Sequence, residues 1–240
     1  MNIAHPELAP SRLEYAAAVA LQERLRGLVV MTGSIRRPCL VAGVDVSYDF
    51  MPIRFSRGKK ASEFLYAAVV VLELPSLRLA ESASVASRAE FPYVPGLLSF
   101  REIPPLLEAF RKLRVMPDVV LVDGQGIAHP RRCGLASHLG LVLDLPAVGC
   151  AKSRLIGEYR EPGLRRGSAS VLCDAGEVIG RVVRTRNGVA PLFVSVGHKI
   201  SLDAAVALVL KCTSRFRLPE TTRQAHTLVN QLRSEGKPCA

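Results

Sequence analysis

Three carboxylates stand in settings that could do chemistry. Asp123 closes the run Val119-Val120-Leu121-Val122, four aliphatic residues in a row after Pro117-Asp118, and is followed by Gly124-Gln125-Gly126. Such a run is the pattern of a strand buried on both faces, which puts Asp123 at the carboxyl end of a central strand, where open α/β sheets form their sites. The two glycines let the backbone come close to a ligand, as a phosphate cradle would require. Asp45 is the only charge in a second apolar run, residues 39–47. Glu102, in Ser99-Phe100-Arg101-Glu102, has two readings. With Ser99 it has the spacing of a capping box, and as part of a helix after the third strand it can point at the strand ends bearing Asp45 and Asp123. If those two strands are neighbours, the aspartates face each other. Close carboxylates repel unless one is protonated or a cation lies between them, and oxygen donors without a Cys or His cluster suit Mg²⁺ or Mn²⁺ better than Zn²⁺. A metal bridging carboxylates in a basic cleft implies phosphoryl transfer.

Other residues could meet a substrate around that centre. Lys152 follows the apolar run 146–151 and lies on the same presumed edge. In Phe91-Pro92-Tyr93-Val94-Pro95-Gly96 each proline fixes its own φ and restricts the residue before it, so the loop is stiff and presents Tyr93. A tyrosine held this way either packs over a strand end or serves as a wedge for a nucleic-acid base.

Composition bounds the partner. With 32 Lys+Arg against 21 Asp+Glu the net charge is +11, a balance that favours a polyanion, foremost nucleic acid. Six cysteines are scattered without a C-x-x-C pair, which argues against a zinc site and against a disulfide scaffold and leaves buried, reduced thiols as the expectation. No apolar run approaches the roughly 18 residues of a membrane span, and residues 1–10 lack a basic start, so a cytoplasmic protein with no membrane partner is expected.

The elements that must position these residues follow from patterning. Ser11 and Glu14 have capping-box spacing ahead of a helix whose apolar stripe is Leu13, Ala17, Ala20, Leu21, Leu25 and Leu28. Strands are expected at 39–47, 66–74 and 78–90 as an antiparallel meander with a turn at Pro75-Ser76, and residues 50–63, rich in Arg and Lys, as a polar loop. A helix from Ser99 to about Leu113, the Asp123 strand, a helix over 131–143 and a strand over 146–151 come next. An Arg- and Gly-rich connection, 153–167, leads to short strands at 168–173, 178–186 and 192–196, with a hairpin signal at Asn187-Gly188. Ser201 caps a helix reaching about Cys212, in which Asp203 suits the dipole, and Pro219 opens a last helix to Arg233. One domain is expected, with 10–233 as its core and 234–240 as a frayed tail.

This order of elements resembles the ribonuclease H-like fold: an α/β mixed sheet, a three-strand antiparallel meander plus parallel strands, flanked by helices. In detail the chain resembles the endonuclease V family. The motifs are Gly43-Val44-Asp45-Val46-Ser47, Pro92 to Gly96, Phe100-Arg101-Glu102, Val122-Asp123-Gly124-Gln125-Gly126, His129-Pro130-Arg131, Ala151-Lys152-Ser153 and Gly197-His198-Lys199-Ile200-Ser201-Leu202. Seven in the family's order are specific where any one alone is weak. The segment 50–63 and the chain after Asn230 lie outside the match. The resemblance implies Asp45 and Asp123 as ligands of Mg²⁺, which Mn²⁺ can replace, with Glu102 a further acidic member and His198 orienting the attacking water or the scissile phosphate. Lys152 would touch phosphate. The loop Pro92, Tyr93, Val94, Pro95 and Gly96 would hold the wedge, and Gly124, Gln125, Gly126 and His129 would line a pocket for a flipped base. The implied reaction is a nick in DNA at the second phosphodiester bond 3′ to deoxyinosine or another deaminated base, leaving 3′-hydroxyl and 5′-phosphate ends; separately, a monomer is expected. Inosine-containing RNA is the open substrate alternative. Rival readings are another ribonuclease H-like nuclease, for a hybrid or branched junction, and a binding module with structural acids.

Overall fold

The computed structural model describes residues 1–10, 12–35, 39–48 and 64–235. Ser11 of the first expected capping box, the expected loop at 50–63 and the end of the expected tail lie outside them. The strands β1 (Leu40–Tyr48), β2 (Phe64–Glu73) and β3 (Arg78–Arg88) form the antiparallel meander. Then β4 (Val119–Val122) and β5 (Ala147–Ala151) add in parallel beside β1, and β8 (Leu192–His198), β7 (Glu177–Val183) and β6 (Ala169–Asp174) complete one eight-stranded mixed sheet in the order β3-β2-β1-β4-β5-β8-β7-β6. The fold is thus the mixed α/β arrangement expected of a ribonuclease H-like chain. Both faces of the middle strands are covered, which is why β4 and β5 are buried throughout.

On one face α2 (Leu98–Lys112) and α3 (Leu135–Leu143) pack Ile103, Phe110 and Leu139 against Val44, Val69 and Val122. The other face is covered by α4 (Leu202–Lys211) and α5 (Glu220–Glu235). Close approach of α5 to β1 needs Gly43, since a Cβ there would stand 2.2 Å from the Thr221 carbonyl carbon. Among the described residues no helix is long and apolar enough to cross a membrane.

Several local expectations are corrected. The first helix, α1, spans Tyr15–Arg26 with Glu14 at its N-cap making no side-chain bond, and it buries Ala18, Gln22 and Leu25, whereas Ala17, Ala20 and Leu28 of the expected stripe are exposed. The rest of the fold covers only a narrow stripe of α1, Ala18 against Phe91 and Phe100 and Leu25 against Cys133 and Leu141, so the buried face is narrower than the apolar count suggested. Helix α2 begins one residue before Ser99 and no side chain caps it. Ser99 instead donates to His138 Nδ1 at 2.9 Å, while His138 Nε2 donates to the Leu8 carbonyl. Helix α3 starts at Leu135 rather than near 131, because residues 129–134 make turns with Arg132 at φ 53°. The Asn187-Gly188 turn sits inside a longer β7–β8 connection, not a two-residue hairpin. Of the cysteines, 133, 150 and 212 are buried as expected, but Cys39 is exposed. Ser201 does cap α4, accepting from Ala204 N, and α5 runs two residues into the expected tail.

Candidate active site

The parallel pairing of β1 and β4 matches Val44 with Val122, so the next residues on each strand, Asp45 and Asp123, come side by side at the carboxyl edge. Glu102 reaches the same place from α2, on the opposite side of β1. All three line one cleft of about 460 Å³, together with Lys152 at the end of β5 and Tyr93 on the rim. Glu102 is therefore no helix cap; it lies more than a turn into α2 and is 6% exposed.

Each acid already has a partner. Tyr48, at the end of β1, donates its hydroxyl to Glu102 Oε1. Lys152 Nζ lies 2.5 Å from Asp123 Oδ2. His226 Nδ1 donates to Asp45 Oδ2 at 2.8 Å, and Asn230 Nδ2 donates to His226 Nε2 at 3.0 Å, an arrangement that keeps the imidazole proton on Nδ1. Burial pushes the Glu102 carboxyl up to about 8, with the Asp45 and Asp123 charges adding to it. Burial likewise raises Asp45 above its ordinary range, and Asp123 adds in the same direction while His226 opposes.

Whether these residues suit a cation follows from that chemistry. Among the described residues no three His, Cys, Asp or Glu side chains are already gathered tightly enough to grip an ion. The donors are nonetheless carboxylate oxygens, and the Asp123 charge raises the proton affinity of both Asp45 and Glu102, which is where a hard divalent cation is most stabilised. Asp123 and Glu102 fit such an ion once drawn from Lys152 and Tyr48, and Asp45 fits it through the oxygen that His226 does not hold.

The rim is stiff. Arg101, buried in α2, donates from Nη1 to the Phe91 carbonyl at 2.6 Å, and its guanidinium carbon lies 5.6 Å from the centre of the Tyr48 ring. Tyr93 is 54% exposed, so it projects rather than packs over a strand end. Val94, Pro95, Gly96, Gly124, Gln125 and His129 line the cleft with it. Burial and the Arg131 charge lower His129 to about 4, which makes it a neutral imidazole at neutral pH. Pro92 is exposed beside the cleft and does not line it. Gly126 does not line it either. It lies beneath, donating to Ser195 Oγ at 2.8 Å, and a Cβ there would stand 2.0 Å from the Val196 carbonyl oxygen. Its missing side chain therefore serves close packing on β8, not a phosphate cradle.

His198 is the clearest displacement. Strand β8 runs antiparallel to β5, so Ala147 at the start of β5 pairs with His198 and Ala151 at its end pairs with Phe193. The carboxyl end of β8 is thus on the far edge of the sheet from Lys152. There His198 Nδ1 accepts from Val30 N, and Asp144 lies 3.9 Å from its Nε2. Asp203 follows on that edge, exposed and 3.7 Å from Arg181, away from the acids.

Sequence patterning passed over His226, Tyr48 and Gln22. The signals were weak but present. Gln22 is a polar residue four after Ala18 and three before Leu25, on the buried stripe of α1. His226 borders the buried face of α5 formed by Thr222, Ala225 and Val229. Tyr48 extends the Asp45 strand by one residue beyond its expected end.

Comparison with known proteins places this arrangement. The Endonuclease V family model matches residues 23–227. Endonuclease V of Nostoc punctiforme is 46% identical over 222 residues, covering 92% of this chain and 95% of that protein. The crystal structure of the Streptomyces avermitilis Endonuclease V superposes with a TM-score of 0.86 at 42% identity, covering 95% of this chain and 96% of that one. Ciona intestinalis Endonuclease V, solved in complex with a 24mer DNA containing an inosine followed by a ribo-adenosine, has a TM-score of 0.77 at 28% identity and covers 92% of this chain and 98% of that one. With the family model matching most of its length and the paired aspartates at the strand ends, this chain belongs to the Endonuclease V family of nucleases.

Proposed function

We propose that this protein is a magnesium-dependent endonuclease that nicks DNA at the second phosphodiester bond 3′ to deoxyinosine, leaving 3′-hydroxyl and 5′-phosphate ends. The reading rests above all on one observation: Asp45 and Asp123, adjacent across β1 and β4, share a cleft with Glu102 and with the proline-framed Tyr93 on its rim. The inosine-containing DNA bound to the Ciona relative supports the choice of lesion.

Asp45, Asp123 and Glu102 would hold Mg²⁺, or Mn²⁺ in its place. Bound there, the cation would polarise the scissile phosphate and stabilise charge on the attacking and leaving oxygens. His226 orients the Asp45 carboxylate through its Nδ1 proton. Lys152, freed from Asp123, meets a phosphate oxygen of the strand being cut. Tyr93 enters the duplex in place of the nucleotide turned out, and the backbone of Gly124 and Gln125 with the neutral His129 forms the wall against which the flipped base rests. Turning out an inosine costs less than turning out a well-paired base, which is one source of selectivity.

A nicking assay with Mg²⁺ on matched DNA and RNA oligonucleotides, with and without inosine, tests this, with the cut mapped at nucleotide resolution. A nick one nucleotide beyond the inosine's 3′ neighbour bond, abolished by EDTA, is expected. Cutting that ignores the inosine, or that persists in EDTA, would refute the reading, and faster cutting of the RNA would transfer it to inosine-containing RNA.

A further inference from the structure

The Tyr93 loop is fastened at its far end by a buried amide that belongs to none of the motifs. Gln22, 1% exposed on α1, donates from Nε2 to the Gly96 carbonyl at 3.0 Å and to the Cys133 carbonyl at 2.7 Å. Its Oε1 accepts from Arg131 Nε at 2.5 Å, and Arg131 Nη2 donates to the same Gly96 carbonyl at 2.7 Å. His129 also hydrogen-bonds the Gly96 backbone. Gly96 itself has φ +80°, and a Cβ on it would stand 2.8 Å from Arg131 Nη2, so the junction accepts only glycine comfortably. One side chain thereby joins three pieces: α1, the end of the wedge loop and the turn that forms the cleft wall.

Apolar packing holds the flanks of that loop: Phe91 and Leu97 are buried with Ala18 and Phe100, and Val94 packs against them. Between the Arg101 bond to Phe91 and the cluster at Gly96, the backbone makes, among the described residues, a single turn bond, Leu97 N to Val94 O. Tyr93 itself is exposed, so its height above the cleft is set by how the loop on either side of it is held. A loop released at Gly96 would have to be ordered when nucleic acid binds, at a cost in conformational entropy that a fastened loop has already met.

We propose that Gln22, acting with Arg131, is a specificity-positioning residue: it holds the wedge loop and the 129–134 wall as one rigid unit, so that Tyr93 is poised over the cleft before DNA arrives. The inference rests on the inosine-nuclease reading above. Its consequence is selective. Tyr93 insertion is rewarded only where a nucleotide turns out of the stack and leaves its place to be filled, so loosening the loop costs more at an inosine than at an undamaged site.

A double-mutant cycle between Gln22 and Tyr93 tests this. Gln22→Met keeps length and apolar contact but removes every hydrogen bond, and Gln22→Glu keeps the acceptor for Arg131 while removing the donor to Gly96. In each variant kcat and KM are measured on matched duplexes with and without inosine. In Gln22→Met the ratio of kcat/KM for inosine over undamaged DNA should fall roughly tenfold, the size of about one hydrogen bond's net worth, and chiefly through KM. Gln22→Glu should fall with it. In a Tyr93→Ala background Gln22→Met should change the ratio by less than about twofold, because both act through the same loop. If Gln22→Met does not fold, as judged by circular dichroism, Arg131→Lys carries the same cycle, since it keeps the charge and removes the bond from Nη2. An unchanged ratio, or effects that multiply in full with those of Tyr93→Ala, would overturn the inference. Preference lost in Tyr93→Ala but kept in Gln22→Met would sink the inference alone, whereas a wild type without inosine preference would sink both it and the function proposed above.

Discussion

Replacing Glu102 by Gln should stabilise the metal-free protein at neutral and alkaline pH and leave it nearly unchanged near pH 4. Glu102 is buried, accepts a hydrogen bond from Tyr48 and has its carboxyl pushed up from an ordinary 4.5 to about 8, burial being the largest cause. The folded state therefore holds this proton more tightly than the unfolded chain does. The stability it contributes is fully present below pH 4.5 and is lost as pH rises through about 8. At roughly 1.4 kcal/mol per tenfold change in proton affinity, the loss is on the order of 3 kcal/mol by pH 7 and about 5 kcal/mol above pH 8. Gln offers the Tyr48 hydroxyl the same acceptor without a charge to desolvate. For a chain of this length 3 kcal/mol corresponds to roughly 6 to 12 °C in Tm. Thermal melts of wild type and Glu102→Gln in chelator, at pH 4, 7 and 8.5, read the effect directly. Two melting curves that move in parallel with pH, or a variant less stable than wild type at pH 8.5, would refute the reasoning. Added Mg²⁺ should raise the wild type more than the variant, because only the wild type presents the third carboxylate.

Asp45→Asn and Asp123→Asn should each abolish nicking while leaving inosine-duplex binding within a few-fold of wild type; a variant that still nicks at the wild-type rate removes its residue from the metal site. Gly43→Ala should destabilise the fold by about 1 to 3 kcal/mol, because α5 must move off β1 to admit the methyl group. The same movement carries His226 from Asp45, so nicking by the folded fraction should fall as well, and a variant with full activity per folded molecule would contradict the role given to His226. Binding should weaken steeply with salt, and Lys152→Met should lower the slope of log K against log salt by about one phosphate contact. An unaltered slope would mean that Lys152 touches no phosphate.

The core strands and their order were legible because each depends on short-range pattern. A run such as Val119 to Val122, bounded by Pro117-Asp118 and Asp123-Gly124, cannot be buried on both faces except as a central strand, and the structure has it there. Asp123 and Lys152 could be singled out as charges at the ends of apolar runs and Asp45 as the one charge within such a run, whereas Glu102 drew notice only by its place on the helix after the third strand. Caps were less legible. Ser99 and Glu102 have the spacing of a capping box, yet Ser99 is taken by His138 and Glu102 by Tyr48, partners 39 and 54 residues distant. Local rules give way where a long-range bond satisfies the same atom.

What the sequence determined by itself is therefore which residues carry charge into an apolar setting and which strands lie at the centre, since burial and periodicity act over a few residues. The tertiary structure decided which of those charges meet. His198 stands in a family motif after a strand and His226 beside the apolar face of a helical segment, and neither local setting says which of them meets the acids. The antiparallel run of β8 carries His198 to the far edge, and the passage of α5 over Gly43 brings His226 to Asp45. Strand direction and helix crossing depend on contacts between segments far apart in the chain, and only the folded molecule supplies them.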